Sequence, residues 1–259
     1  MPFADLPNVR LHYALSGLPD APVLILSNSL GTNFSMWDGQ APAFEKQFRL
    51  LRYDMRGHGQ SSAPPPPYAV PDLACDILSL ADSLSIPRFH FCGLSIGGMI
   101  GMSLAFQAPE RLHKLVLCNT APKIGALEFW NARIQNVQSK GMKEVASAVT
   151  ARWFTPGFQQ SSPEKVASAI SVLESLDPQG YVGGSTAVRD FDFRESVSQI
   201  RTPTLVIAGT HDPAATPADG RFLTEQIPGA RYAELNTSHL SNVEAPAQFN
   251  DAVLSFLNA

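Results

Sequence analysis

A serine between two glycines is the best candidate for a nucleophile in this chain. Residues 93–97 read Gly-Leu-Ser-Ile-Gly, after an apolar run at 88–92 and before another at 98–106. The first run is typical of a buried strand and the second of a helix, so Ser95 is predicted to lie on a sharp strand-to-helix turn. Such a turn crowds the residues two before and two after the serine, and glycine gives them room. The alternative is a glycine-rich loop that merely turns the chain.

A serine hydroxyl is a weak nucleophile at neutral pH, so it needs a base and a third group that orients the base. Asp212 follows a strand-like run at 204–208, and His239 follows another at 230–235. Both would lie on loops at the carboxyl ends of strands, in the chain order serine, acid, histidine. The pattern therefore predicts Asp212 as the acid and His239 as the base. The alternatives are a turn-forming aspartate before proline and a surface or capping histidine.

Acyl transfer through a serine also needs two donors for the negative charge that forms on the attacked oxygen. One candidate is the backbone N–H of Ile96, the residue after the serine. The other lies in residues 28–31, Asn-Ser-Leu-Gly, after a buried apolar run, and we expect it to be the N–H of Leu30. The side chains of Asn28 and Ser29 are predicted either to contact the substrate or to hydrogen-bond within the loop.

A second polar turn, residues 54–59, reads Asp-Met-Arg-Gly-His-Gly. Asp54 and Arg56 are predicted to fix this loop by hydrogen bonds rather than to take part in catalysis. The sequence has no H-x-x-x-H pattern and no paired carboxylates near a histidine, so no metal site is expected.

Strand-like runs alternate with helical patterns along most of the chain, which predicts an α/β fold with a mostly parallel sheet covered on both faces. The predicted strands are residues 8–16, 22–27, 49–54, 88–92, 114–119, 203–208 and 230–235. The predicted helices between and after them are residues 37–48, 71–84, 98–106, 217–227 and 246–258.

The segment from 120 to 200 differs, because it contains no convincing strand. Its predicted helices are residues 127–140, 143–153, 163–176 and 181–189. A helical insertion between two strands of a sheet is what a cap over an active site would look like. We therefore predict a core made of residues 1–119 and 201–259, with a helical cap at 120–200.

Composition limits the partners and the compartment. The chain has 259 residues, with 19 Lys and Arg against 23 Asp and Glu, a formal net charge of −4, and no basic stretch. Nucleic acid and anionic lipid are therefore not expected partners. No run approaches the roughly 20 apolar residues of a membrane span, and the N-terminus does not resemble a signal peptide. Cys75, Cys92 and Cys118 are predicted to be reduced core residues, which favours the cytoplasm.

With these residues assembled, the chain resembles the α/β-hydrolase superfamily over its whole length, and within it the 3-oxoadipate enol-lactonases of aromatic-compound catabolism. That superfamily implies an eight-stranded sheet. Many relatives carry His-Gly where this chain has Asn28-Ser29, but a backbone donor does not depend on those side chains. The narrower resemblance rests on residues 27–32 with 36–38, 53–59, 92–99, 117–125, 209–213 and 238–244.

The resemblance implies a triad of Ser95, Asp212 and His239 and a reaction that needs no cofactor. Ser95 would attack the lactone carbonyl, and the ring would open to an acyl-enzyme with an enol leaving group. The enol would become a ketone, and water activated by His239 would release 3-oxoadipate.

A substrate of this class is a small molecule with a carboxylate away from the reacting carbonyl, so a cationic partner is expected in the cap. The candidates are Arg133, Arg152 and Arg189, with Trp130 and Trp153 as walls of the pocket. Arg133 shares a helix face with apolar residues by its spacing, which suggests an inward position. The alternative for each arginine is a solvated helix residue that lies over apolar surface, and for each tryptophan a place in the cap core.

Other readings use the same residues. A general carboxylesterase, a perhydrolase-like enzyme or a C–C bond hydrolase of this fold would carry the same triad. A binding protein with an inactive hydrolase fold is the reading outside enzymes, but such proteins often lose a triad member, and here all three are present in order. The sequence does not indicate the oligomeric state.

Overall fold

A computed structural model describes residues 2–259 and contains one eight-stranded sheet. The strand order is β1-β2-β4-β3-β5-β6-β7-β8, in which β1–β2 and β2–β4 are antiparallel and the other pairs are parallel. The strands are β1 (Phe3–Leu6), β2 (Val9–Gly17), β3 (Val23–Ser27), β4 (Arg49–Tyr53), β5 (Phe89–Leu94), β6 (Leu112–Cys118), β7 (Thr204–Gly209) and β8 (Arg231–Leu235).

Helices fill the connections between the parallel strands. They are α1 (Ala41–Phe44), α2 (Val70–Ser83), α3 (Ile96–Gln107), α4 (Leu127–Lys140), α5 (Met142–Thr150), α6 (Pro156–Ser161), α7 (Pro163–Glu174), α8 (Pro178–Asp190), α9 (Pro217–Gln226), α10 (Ser241–Glu244) and α11 (Pro246–Leu257). Short 3₁₀ helices cover Phe34–Trp37, Pro109–Arg111 and Val197–Gln199.

The middle of the sheet is covered on both faces. Every residue of β3, β5 and β7 is buried, as their continuous apolar runs predict for parallel strands between two helical layers. The predicted α/β class with a mostly parallel eight-stranded sheet is therefore confirmed. Parallel strands end at the same edge, so the loops after β3, β5, β7 and β8 meet there.

The segment between β6 and β7 holds α4 to α8, with no strand. Within it α4 packs against α8 and α5, and α5 packs against α7. Four of the helices match the predicted ones to within a few residues, whereas α6 was not predicted because its six residues bury no side chain. The division into a core at 1–119 and 201–259 and a cap at 120–200 remains a prediction.

Three details differ from the predictions. The edge strand β1 was missed, because it is only four residues long and half of them are exposed. The helix predicted at 37–48 is broken, since the proline at N1/N2 of α1 lacks the N–H that would continue a helix from the preceding 3₁₀ turn. Cys75 is exposed, because it faces away from the buried stripe of α2, whereas Cys92 and Cys118 are buried as expected.

Candidate active site

The predicted nucleophile lies on the turn between β5 and α3. Ser95 has φ 61° and ψ −117°, a left-handed conformation that non-glycine residues rarely adopt. A Cβ at Gly93 would lie 2.1 Å from the Gly97 oxygen, and one at Gly97 would lie 2.3 Å from the Ser27 oxygen. Both glycines are therefore required for the turn. The Ser95 N–H donates to the Cys118 oxygen at 2.9 Å, which ties the turn to the neighbouring strand.

The predicted acid and base come together from the loops after β7 and β8. The Nδ1 atom of His239 lies 2.7 Å from Oδ2 of Asp212, and both residues are buried. Oδ1 of Asp212 accepts the N–H of Ala214 at 2.8 Å and that of Ala215 at 3.2 Å. Burial alone would raise the pKa of Asp212, but the charge and hydrogen bond of His239 lower it more, together with the other donors. The carboxylate is therefore charged at neutral pH.

Asn119, which sequence reasoning did not select, holds these two loops together. Its Nδ2 donates to Oδ2 of Asp212 at 3.1 Å and to the Ser238 oxygen at 3.2 Å, while its Oδ1 accepts the hydroxyl of Ser241 at 2.6 Å. Its φ is 45°, the left-handed region again. The signal in the sequence was a polar residue at the carboxyl end of a buried strand, where side chains of this edge converge.

The predicted oxyanion donors point to no protein acceptor. In the described chain, neither the Leu30 N–H nor the Ile96 N–H makes a hydrogen bond. Ile96 is the first residue of α3, so its N–H is at the positive end of the helix dipole. Leu30 lines the same cavity as Ser95 and His239.

That cavity has a volume of about 220 Å³ and lies between the sheet edge and the helical insertion. The Ser95 hydroxyl has no hydrogen-bond partner among residues 2–259, and in ligand-free hydrolases its contact with the base often tightens only when substrate binds. The sheet side contributes Ser29, Leu30, Ser95, Pro213, Ala214 and His239. The other side contributes Ile124, Gly125, Phe129, Trp130, Arg133, Val149, Arg152, Trp153 and Val188.

Two predicted arginines face this cavity. The guanidinium carbon of Arg133 lies 4.6 Å from the ring centre of Phe129 and 4.9 Å from that of Trp130. That of Arg152 lies 5.3 Å from the Phe129 ring, and its Nη2 donates to the Pro213 oxygen at 3.1 Å. Burial lowers the pKa of Arg152, and the charge of Arg133 lowers it further. Neither arginine pairs with a carboxylate of residues 2–259, so an anion between them would relieve their repulsion.

The remaining candidates divide. Trp130 and Trp153 line the cavity, but Arg189 does not, because its guanidinium pairs with Asp190 at 2.7 Å and bonds to Asn131 at 3.0 Å. The structure thus gives Arg189 partners elsewhere and corrects its place among the substrate contacts.

The two side chains before Leu30 also differ. Asn28 donates to the Tyr53 oxygen and accepts from the Trp37 ring N–H, both at 2.9 Å. Its amide therefore holds the loop, whereas Ser29 reaches the cavity.

Residues 2–259 contain no group of three His, Cys, Asp or Glu side chains placed to hold a metal ion. In the same range, no helix combines the length and apolar character needed to cross a bilayer.

The fold and this arrangement agree with comparison to known families. The model of the α/β hydrolase fold family matches residues 22–246, and the chain belongs to that family. It is 45% identical over 246 residues to 3-oxoadipate enol-lactonase 2 of Acinetobacter baylyi, covering 95% of this chain and 92% of that protein. It is 32% identical to a putative carbamate hydrolase, RutD, of Rhizobium rhizogenes, covering 96% and 98% of the two chains.

The same similarity is found among solved structures. The crystal structure of the enol-lactonase from Burkholderia xenovorans LB400 superposes with a TM-score of 0.98 at 45% identity, covering 100% of both chains. The resemblance expected from the motifs is therefore confirmed.

Proposed function

We propose that this protein is a serine hydrolase that opens 3-oxoadipate enol-lactone to 3-oxoadipate. One observation carries the proposal: Ser95 and His239 share a cavity of about 220 Å³ with two guanidinium groups that no carboxylate of residues 2–259 neutralises. Such a cavity suits a small ester that carries its own negative charge. The enol-lactonases of Acinetobacter and Burkholderia that the chain resembles support the choice of lactone.

In the proposed reaction, His239 removes the Ser95 proton through Nε2 while Asp212 holds Nδ1–H and stabilises the charged ring. Ser95 Oγ attacks the lactone carbonyl, and the oxyanion accepts the N–H groups of Leu30 and Ile96. The ring C–O bond breaks, and the leaving enolate takes the proton from His239. Water, deprotonated by His239, then attacks the acyl-enzyme and releases 3-oxoadipate with Ser95 restored.

The substrate carboxylate would be bound by Arg133, with Arg152 as a second positive group beside it. A guanidinium stacked on rings keeps its N–H edge free for a carboxylate, which favours bidentate recognition. The flat ring would lie between Trp130 and Trp153, which line the same cavity.

The test is turnover of 3-oxoadipate enol-lactone, followed by loss of ultraviolet absorbance, for the native protein and for Ser95→Ala. We expect hydrolysis that falls by at least about 10⁴-fold in the variant, because the acyl-enzyme can no longer form. A native protein that cleaves simple aryl esters but not the lactone would keep the nucleophile and overturn the substrate.

A further inference from the structure

Two sequence motifs, residues 28–32 and residues 54–59, meet at one peptide group beside the cavity. The N–H of Gly31 donates to Nε2 of His58 at 3.1 Å, and Nδ1 of His58 lies 3.2 Å from the Arg56 oxygen. Because a peptide N–H can only donate, Nε2 is the acceptor, and the ring proton on Nδ1 donates to Arg56. His58 is thus a neutral, buried histidine whose two nitrogens are both used.

The preceding peptide group is held as well. The Ser29 oxygen accepts the Thr32 N–H at 3.2 Å and the Thr32 hydroxyl at 2.8 Å. In a trans peptide the oxygen and the next N–H point in opposite directions, so this contact sets the direction of the Leu30 N–H. Thr32 and His58 therefore fix the peptide groups on the two sides of Leu30.

We propose that His58, together with Thr32, is a positioning residue of the oxyanion hole. The imidazole holds the Leu30–Gly31 peptide, and the threonine hydroxyl holds the Ser29–Leu30 peptide, so that the Leu30 N–H faces the oxygen of the attacked carbonyl. The inference rests on the proposed function only in taking Ser95 as the nucleophile, and it holds for any ester that reaches Ser95.

The loop needs such restraint, because Gly31 has φ +89° and glycine moves easily between conformations. The imidazole itself is fixed, since Arg56, whose oxygen it contacts, is paired with Asp76 through Nε at 2.6 Å. Burial lowers the pKa of His58 to about 4, so its Nε2 stays an acceptor at neutral pH.

Helix α8 packs against the same two residues. A Cβ at Gly184 would lie 2.6 Å from Cδ1 of Leu30 and 3.3 Å from Cε1 of His58. The backbone of α8 therefore approaches the Leu30 side chain and the imidazole as closely as a glycine permits. This contact limits movement of the loop from the side of the helical insertion.

The role predicts a particular kinetic effect. The oxyanion exists in the transition state and not in the bound substrate, so a misdirected Leu30 N–H should lower kcat and leave KM nearly unchanged. Loss of one donor costs about 10²- to 10³-fold in kcat, and a misdirected donor should cost less, about 10- to 100-fold.

The test compares His58→Phe with His58→Gln on the enol-lactone and on p-nitrophenyl acetate. Phenylalanine fills the space without an acceptor, whereas glutamine can place its Oε1 near the position of Nε2. We expect kcat to fall about 10- to 100-fold in the first variant on both substrates and to recover most of that loss in the second. Inhibition by a trifluoromethyl ketone, whose serine adduct carries the same oxyanion, should weaken by the same factor as kcat.

Thr32→Val and Thr32→Ser form a second pair, which decides the question if His58→Phe does not fold. Serine keeps the hydroxyl and should keep kcat, whereas valine should lower it. A folded His58→Phe protein with native kcat would overturn the proposal, as would equal kcat in the two Thr32 variants. If the native protein opens no lactone, the proposed substrate fails alone, and the same ratios on the aryl ester still decide the role of His58.

Discussion

The two sides of the cavity are held in different ways. On the sheet side, the carboxylate of Asp212 accepts four hydrogen bonds, from His239, Asn119, Ala214 and Ala215. On the side of the helical insertion, Arg133 stacks on two rings and pairs with no carboxylate of the described chain. One side is thus complete without a ligand, and the other has charge that a ligand would neutralise.

This difference teaches where chemistry and selection are separated. Groups that stabilise a transition state must be in place before the reaction, because reorganising them would add to the barrier. Groups that choose a substrate gain by leaving a charge unpaired, because only the ligand with the matching charge then repays its desolvation. We infer that the sheet side serves any ester and the insertion selects the carboxylated one.

Arg152 belongs to both sides. Its backbone oxygen accepts the Ser238 hydroxyl at 2.9 Å, and its side chain reaches the Pro213 oxygen. Next to it, the Trp153 oxygen accepts the Leu240 N–H at 3.0 Å. This part of the insertion is therefore joined to the residues on either side of His239, whereas Arg133 lies on α4, away from that junction.

Acid should act on the sheet side with the largest effect. Burial lowers the pKa of His58 from 6.5 to about 4, so the unfolded chain binds a proton there at a pH where the folded protein does not. The free energy of unfolding should therefore fall as pH decreases from about 6.5 to about 4, by up to about 3 kcal/mol from this residue. Chemical denaturation at a series of pH values would measure the slope.

His58→Gln is the matched variant for that slope, because it removes the titrating group and keeps an acceptor. Its stability should depend less on pH than that of the native protein. Burial also lowers the pKa of His90 to about 4, so some dependence should remain. An unchanged slope in the variant would contradict the assignment to His58.

Arg133→Met should separate the two sides most directly. We expect KM for the enol-lactone to rise about 10- to 100-fold, the cost of a charge-assisted hydrogen bond, with little change in kcat. A neutral aryl ester should be cleaved as fast as by the native protein. Arg189→Met is the control, because Arg189 already pairs with Asp190 and should change neither constant by more than about twofold.

Equal losses on lactone and neutral ester in Arg133→Met would mean that this arginine supports the structure instead. Arg152→Met is expected to show such a mixed effect, since its side chain contacts Pro213 beside Asp212.

Asn119→Gly should give the smallest effect, and one that both substrates share. Glycine tolerates φ 45°, so the variant removes the amide without strain in the backbone. Asp212 would keep three of its donors, and we expect kcat to fall about tenfold or less, the cost of one hydrogen bond to a charged group. A loss confined to the carboxylated lactone would contradict a role in orienting the acid. Steady-state kinetics with both esters would distinguish these outcomes.

The sequence alone was enough to predict the fold class and to select Ser95, Asp212 and His239, which the structure brings to one edge of the sheet. Each of these residues follows a continuous apolar strand, and the carboxyl ends of parallel strands converge at one edge. The order of local patterns thus determines which residues meet. The long helices were also predictable, because a buried stripe repeats over several turns.

Only the tertiary structure decided which polar groups pair. Asn119 and Asp212 are 93 residues apart in the chain, and His58 and Gly31 are 27 apart, so no local pattern relates them. Arg133 and Arg189 have similar helical surroundings in the sequence, but the packing of α4 turns Arg133 over two rings while Arg189 meets its neighbour Asp190. A long side chain takes its direction from the partners within reach, and those are set by the packing of distant segments.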